Sequence, residues 1–127
     1  MTEYYVGDLC YVINKTWSEV CSLRDKNREP STYTLSNGVT IGIADTQNGD
    51  GVYSDNFDNE YPVDSGTIGF IRVSDIEADK LVDITLGQVY EFEDIPTIQY
   101  FEGLITIGFI CINTSTEDSE TNYGLSA

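Results

Sequence analysis

Hydrophobic and polar residues alternate along most of this chain in short runs, the pattern of β-strands that bury one face. The clearest example is the segment 32–45, in which two alternating runs flank Asn37-Gly38. This dipeptide favours a type I′ turn, so the segment predicts a β-hairpin. Further runs predict strands over 4–13 (with a bend at Gly7-Asp8), 66–73, 88–93, 97–102 and 104–112, and a small hairpin over 51–63 that turns at 56–59.

Two Ser/Thr-x-x-Glu sequences have the signature of a helix capping box. The first, Thr16–Glu19, predicts a short helix from about Trp17 to Arg24, and the second, Ser74–Glu77, predicts at most two turns that end by Leu81. Seven or eight strands with one or two short helices indicate an α+β fold that is mostly antiparallel β. We expect a small barrel or a sandwich.

The chain length is that of one domain with its own hydrophobic core. We predict a single globular domain over residues 1–113 and a disordered acidic tail over 114–127. Within the domain, Thr-Ile-Gly recurs at positions 40, 67 and 106. The unequal spacing is not that of a repeat protein, so we interpret these glycines as places where a neighbouring chain or ring approaches closely.

The charge changes the picture, because 22 acids face only 6 bases and the net charge is −16. Four acids and four bases lie in residues 1–28, so residues 29–127 hold the other 18 acids against two bases, Arg72 and Lys80. Such a field repels nucleic acids and anionic membranes and attracts basic surfaces. We therefore expect a protein partner with a basic surface, and neither direct nucleic-acid binding nor membrane binding.

Two groups of acids are the candidates for binding this partner. Strand alternation would place Glu91 and Glu93 on one face, about 7 Å apart, close to the phosphate spacing along a DNA strand. The charge predicts a non-catalytic binding protein for a basic protein surface, and this spacing suggests one form of it, a DNA mimic that inhibits a nucleic-acid enzyme or a defence system of a host. The alternative is that the charge serves solubility alone. The candidate residues are Asp75, Glu77, Asp79, Glu91, Glu93 and Asp94.

The residue content of this chain excludes several catalytic mechanisms. It contains no histidine, which excludes Ser-His-Asp and Cys-His mechanisms, and three scattered cysteines cannot form a tetrahedral zinc site. Cys10, Cys21 and Cys111 are best interpreted as reduced core thiols. The N-terminal sequence MTEYYVGDLC lacks the basic and apolar regions of a signal peptide, and no apolar run approaches the roughly 20 residues that span a bilayer, so we expect a cytoplasmic protein.

One motif suggests an enzyme all the same. The sequence VDSGT at 63–67 resembles the catalytic strand end of pepsin-like and retroviral-type aspartic proteases. The resemblance implies a catalytic Asp64, steadied by Ser65, with Gly66 permitting the tight turn. Because the chain has one such motif, the enzyme would be a homodimer whose two carboxylates share a proton. The resemblance covers about five residues, and the favoured alternative is a β-turn whose Asp and Ser bond to their own backbone.

The polar segment 45–64 suggests a cation site. Calcium takes six to eight oxygen ligands from a flexible loop. The EF-hand pattern does not fit, because Phe57 stands where the bidentate Glu is needed. A looser calcium site would use Asp45, Asn48, Asp50 and either Asp55 or Asp58. The alternative is a solvated hairpin with ordinary turn chemistry, and no cofactor at all.

A wider resemblance covers about residues 4–73. The segments GDLCYV, GDGVY and YPVDSGTIGFI, with the pattern GDG-x-Y followed by DSG-x-IG, are similar to short open reading frames of phages and bacteria to which no function is assigned. The resemblance implies a phage or mobile-element context. Small acidic proteins in that context are commonly inhibitors of host defence, and some are DNA mimics.

Overall fold

The structure is a computed structural model that describes residues 1–115. It contains ten strands, one α-helix and three 3₁₀ segments within that range. The strands are β1 (Thr2–Gly7), β2 (Ser31–Thr34), β3 (Thr40–Asp45), β4 (Gly51–Asp55), β5 (Glu60–Val63), β6 (Thr67–Arg72), β7 (Gln88–Phe92), β8 (Ile98–Phe101), β9 (Leu104–Ile107) and β10 (Ile110–Asn113). Helix α1 spans Trp17–Lys26, and the 3₁₀ segments are Leu9–Tyr11, Val73–Asp75 and Ala78–Leu86.

The strands form two five-stranded sheets in which every pairing is antiparallel. Sheet A has the order β2-β3-β6-β1-β7, and sheet B has the order β5-β4-β10-β9-β8. The predicted α+β, mostly antiparallel class is therefore confirmed. Of the two expected forms the fold is a sandwich and not a closed barrel, because each sheet keeps its own two edges.

Sheet A is the middle of three layers. Tyr4 and Phe70 lie on its face toward sheet B and pack there with isoleucines of β9 and β10. Tyr5 and Ile71 lie on its other face, which α1 and the 3₁₀ segments cover. Burial on both faces explains why β6 reads as a nearly continuous apolar run, as strands covered on both sides do.

Both predicted hairpins are confirmed, but the first does not have the type I′ turn expected for it. In the hairpin of β2 and β3, Leu35 N–H donates to Val39 and Gly38 N–H donates to Leu35, so the loop has three residues with Gly38 at φ 88°. Asn37 keeps a negative φ, which excludes the predicted type I′ turn. Type I′ geometry occurs instead between β8 and β9, where Glu102 and Gly103 both have positive φ.

Two predicted strands break where the chain turns. The run 104–112 is a hairpin and not one strand, because Gly108 (φ 58°) starts a two-residue turn between the paired Ile107 and Ile110. The run 4–13 ends as a strand at Gly7 and continues as the 3₁₀ turn Leu9–Tyr11. The expected bend at Gly7-Asp8 is where this change occurs.

Neither capping box forms. Helix α1 is present and extends two residues beyond Arg24, but Thr16 makes no side-chain cap. Its Glu19 partner instead accepts hydrogen bonds from the backbone N–H and hydroxyl of Ser36, both at 2.8 Å. The second box likewise gives 3₁₀ turns and no α-helix, and Glu77 lies against Lys15. Both glutamates therefore serve contacts that are distant in sequence.

The recurring glycines mark close approaches, as expected. A Cβ at Gly42 would lie 2.0 Å from the Phe70 ring, and a Cβ at Gly69 would lie 2.1 Å from the carbonyl oxygen of Gly42. A Cβ at Gly108 would lie 2.5 Å from the Phe92 ring. Each position thus lacks room for any side chain, since real Cβ contacts are never so short.

The start of the predicted tail belongs to the folded domain. Thr114 is fully buried, and its backbone N–H and hydroxyl both donate to the carbonyl of Gly103. Residues 116–127, the rest of that predicted tail, lie outside the described residues. Within residues 1–115, no helix has the length and apolar character needed to cross a membrane.

Candidate binding surfaces

The loop that carries the VDSGT motif is organised around a different aspartate, Asp8. The backbone N–H groups of Asp64 and Ser65 both donate to Oδ2 of Asp8 at 2.7 Å, and the Ser65 hydroxyl donates to Oδ1 at 2.7 Å. Gly66 follows with φ 71°, the left-handed conformation that a tight turn uses. Asp64 itself is exposed. Ser65 therefore steadies Asp8 and not Asp64.

Asp8 is a fully buried carboxylate with four hydrogen-bond donors. The fourth is the backbone N–H of Cys10, which makes Asp8 the N-cap of the 3₁₀ turn Leu9–Tyr11. Tyr5 adds a bond from its hydroxyl to the Asp8 carbonyl at 2.9 Å. A buried charge is tolerated only when its lone pairs are satisfied, and here the donors come from two separate loops. Asp8 thus fastens the end of β1 to the 64–66 loop.

The surroundings of Asp8 disfavour a cysteine nucleophile. Burial raises the pKa of Cys10, and the charge of Asp8 raises it further, so the thiol stays protonated at neutral pH. Burial likewise raises the pKa of Tyr11, with a further contribution from a hydrogen bond to Asp64. The three cysteines are free thiols, but Cys21 is exposed and Cys10 and Cys111 are only partly buried, so the expectation of core thiols was wrong.

The candidate calcium ligands do not converge. Asp45 pairs with Arg24 at 2.9 Å and Arg28 at 3.2 Å, and the Asn48 amide donates to the carbonyls of Thr114 and Ser115. Strand β4 then runs from Gly51 to Asp55. At the usual rise per residue of an extended strand, Asp50 just before its start and Asp55 at its end are about 16 Å apart, too far to share one ion. Among residues 1–115, no three cysteine or acidic side chains are arranged to hold a metal ion.

Four of the six candidate acids have no cationic partner in the part of the chain that is described. Its four ion pairs include Asp75, 3.9 Å from Arg72, and Glu77, 3.7 Å from Lys15. The exposed, unpaired candidates are Asp79, Glu91, Glu93 and Asp94.

The β7 edge of sheet A concentrates like charge. Glu91 lies directly opposite Glu3 of β1 in the sheet register, and both are exposed. Tyr90 and Phe92 pack toward sheet B, so Glu91 lies on the other face of the same strand. Like charges opposite one another destabilise a sheet by a few tenths of a kcal/mol up to about 1 kcal/mol. We call Glu3, Glu91, Glu93 and Asp94 the acidic edge.

Asp75 and Glu77 line a cleft of about 240 Å³ beside α1. Its apolar lining comes from Val12, Ile13, Leu35, Val39 and Ile71. Lys15 stands at the same cleft with its side chain 83% exposed, and its backbone N–H donates to Glu77 at 3.4 Å. The cleft therefore combines an apolar lining with two carboxylates that are each loosely paired within the chain, Asp75 with Arg72 and Glu77 with Lys15.

A second buried carboxylate, which the sequence placed only as a calcium candidate, is Asp55. Its Oδ2 accepts from the hydroxyls of Tyr61 at 2.5 Å and Tyr90 at 2.8 Å. Its Oδ1 accepts from the backbone N–H groups of Phe57 and Asn59. Burial acts to raise the pKa of Asp55, but these hydrogen bonds outweigh it and hold the pKa below its usual value. The only signal in the sequence is an Asp at a strand end before a polar turn.

Searches against protein-family models, curated proteins and solved structures find no match for this chain.

Replacing Asp8 should destabilise the fold far more than replacing Asp64, although both lie in one loop system. Asp8→Asn replaces one acceptor oxygen with an NH2 donor that faces N–H and O–H donors, and it should lower the free energy of unfolding by about 2–4 kcal/mol. Asp64→Asn changes an exposed side chain and should alter the free energy of unfolding by no more than about 0.5 kcal/mol. Urea unfolding of both variants measures this, and equal effects would contradict the role assigned to Asp8.

Asp55 should give the fold a defined acid sensitivity. Its pKa is lower in the folded than in the unfolded chain, so its stabilising effect is present above the unfolded value of about 3.9 and is lost as pH falls through the folded value. The gap in melting temperature between wild type and Asp55→Asn should thus shrink below about pH 4. Asp58→Asn, in the same turn but exposed, is the control. A gap that stays constant down to pH 2 would refute this role.

Proposed function

We propose that this protein is a non-catalytic binding protein that engages a basic surface of another protein through the acidic edge. The observation that carries the proposal is that Glu3 and Glu91 lie opposite each other in the sheet register and that neither takes part in an ion pair of the described chain. Such a pair is unfavourable in the free protein, and a basic partner would relieve it. A surface whose charge served only solubility would not need to place two carboxylates opposite each other.

The cleft beside α1 fits the same partner chemistry. Lysine and arginine have an aliphatic stem and a cationic head, which match an apolar lining and the carboxylates of Asp75 and Glu77. Lys15 already places an ammonium 3.7 Å from Glu77 in an exposed, weak pair. A basic side chain of the partner would displace it.

The finer form of the proposal is a DNA-mimic inhibitor. Glu91 and Glu93 are two residues apart at the end of β7, which corresponds to about 7 Å along an extended chain. The implied phage context would make the partner a nucleic-acid enzyme or a defence protein of the host, and the cytoplasm the place of action. The homodimeric aspartic protease with Asp64 stays a prediction without an added observation in its favour.

Capture experiments with charge-matched variants test the proposal. Immobilised wild type should retain a nucleic-acid enzyme from a bacterial lysate at low salt and release it at about 0.5 M NaCl, where the Debye length is well below its value of about 8 Å at physiological ionic strength. Added DNA should compete. The variant Glu91→Gln, Glu93→Gln, Asp94→Asn should lose this capture.

The control removes three charges elsewhere. Asp25→Asn, Glu29→Gln, Glu102→Gln changes three exposed acids outside the acidic edge and should still capture the partner. Equal loss in both triple variants would mean that net charge alone acts. Capture that survives about 0.5 M NaCl, or that DNA does not reduce, would overturn the DNA-mimic form.

A further inference from the structure

Three aromatic rings from separate strands and turns meet at the surface of the sandwich. Phe57 lies in the turn between β4 and β5, Phe109 in the turn between β9 and β10, and Tyr90 in β7. Their ring centroids are 5.9–6.1 Å apart in all three pairs, so the rings form a nearly equilateral triangle. Phe57 and Phe109 are each 52% exposed. We call these rings the aromatic triad.

Hydrogen bonds hold the triad in place. Asn56 joins the two turns, because its amide N–H donates to the Phe109 carbonyl and its side-chain oxygen accepts from Cys111 N–H. The Tyr90 hydroxyl donates to Asp55 at 2.8 Å and accepts from Asn59 at 2.6 Å. A site whose rings are already ordered loses little conformational entropy when a ligand binds.

The electrostatics of the triad select a cation. Aromatic faces carry negative potential, and the hydroxyl of Tyr90 points to the ionised carboxylate of Asp55. The same turn carries Asp58, which is exposed and absent from the four ion pairs of the described chain. An anion or a neutral apolar group would gain nothing from these charges, whereas a cation gains from all of them.

We propose that the aromatic triad is a docking site for a cationic side chain of a partner protein, with arginine as the best fit. The planar guanidinium can stack on an exposed ring face of the triad, with the other two rings beside it. The site uses the face of β7 that packs toward sheet B, whereas Glu91 lies on the opposite face. The proposal for the triad rests on the geometry of its rings and does not depend on the acidic edge.

Capped arginine and capped citrulline test this proposal, since citrulline has the same shape without the charge. The probes are N-acetyl-arginine amide and N-acetyl-citrulline amide, titrated into the full chain at constant ionic strength and followed by NMR. Arginine should shift the amide and ring signals of Phe57, Tyr90 and Phe109 with a Kd on the order of 10–100 mM, and citrulline should bind several-fold more weakly.

Matched leucine variants locate the binding. Phe57→Leu and Phe109→Leu keep apolar bulk but remove a ring, and each should weaken arginine binding about 2–5-fold. Phe101→Leu changes a more exposed phenylalanine outside the triad and should leave the Kd unchanged.

Three results would overturn the proposal. Equal shifts from arginine and citrulline would show that charge is not recognised. A Kd that neither triad variant changes would place the binding at the acidic surface in general. Self-association through the triad, seen as a dimer in analytical ultracentrifugation that Phe57→Leu abolishes, would make a second copy the occupant.

Discussion

Two buried carboxylates, at opposite ends of the β4–β5 hairpin, hold the loops of this fold. Asp8 accepts four hydrogen bonds and fastens the 64–66 loop to the end of β1. Asp55 accepts four more and joins Tyr61 of sheet B to Tyr90 of sheet A. Each donor satisfied in this way offsets the desolvation of a charge, and a missing donor would leave that charge uncompensated. The sandwich therefore depends on polar contacts as well as on its apolar core.

The acids of this protein consequently fall into two groups. One group is buried or paired and serves the fold, with Asp8, Asp55 and Asp45 as its members closest to the core. The other, which includes the acidic edge, is exposed and takes part in none of the ion pairs of the described chain. Stability alone does not account for the second group, because like charges opposed across two strands weaken the sheet. We propose that recognition of a cationic partner accounts for it.

The sequence predicted most elements because strand alternation and turn residues are local signals. The hairpins over 32–45 and 51–63 and the start of α1 at Trp17 all follow from them. The break at Gly108 was missed, since TIGF reads as strand wherever it occurs, and only the pairing of Ile107 with Ile110 makes it a turn. The predicted capping boxes do not form for a similar reason. Glu19 accepts a hydrogen bond from Ser36 and Glu77 pairs with Lys15, and both partners are distant in sequence.

The candidate sites were harder to predict, because their partners are far apart along the chain. No residue pattern near Asp8 predicts that its carboxylate accepts hydrogen bonds from a loop 56 residues away. The aromatic triad likewise joins residues of two turns and one strand that only the packing of two sheets brings together. Composition did show that exposed acids would outnumber cations, but not which acids would stay unpaired.

The stability of wild type and Glu91→Gln across NaCl concentrations tests most directly whether the acidic edge is uncompensated. At about 0.02 M NaCl, Glu91→Gln should melt above wild type, and the difference should vanish by about 1 M as screening shortens the Debye length to about 3 Å. Glu77→Gln, which removes the partner of Lys15, should give no such gain. A Glu91→Gln variant that is less stable than wild type at low salt would contradict the account, because Glu91 would then stabilise the free protein.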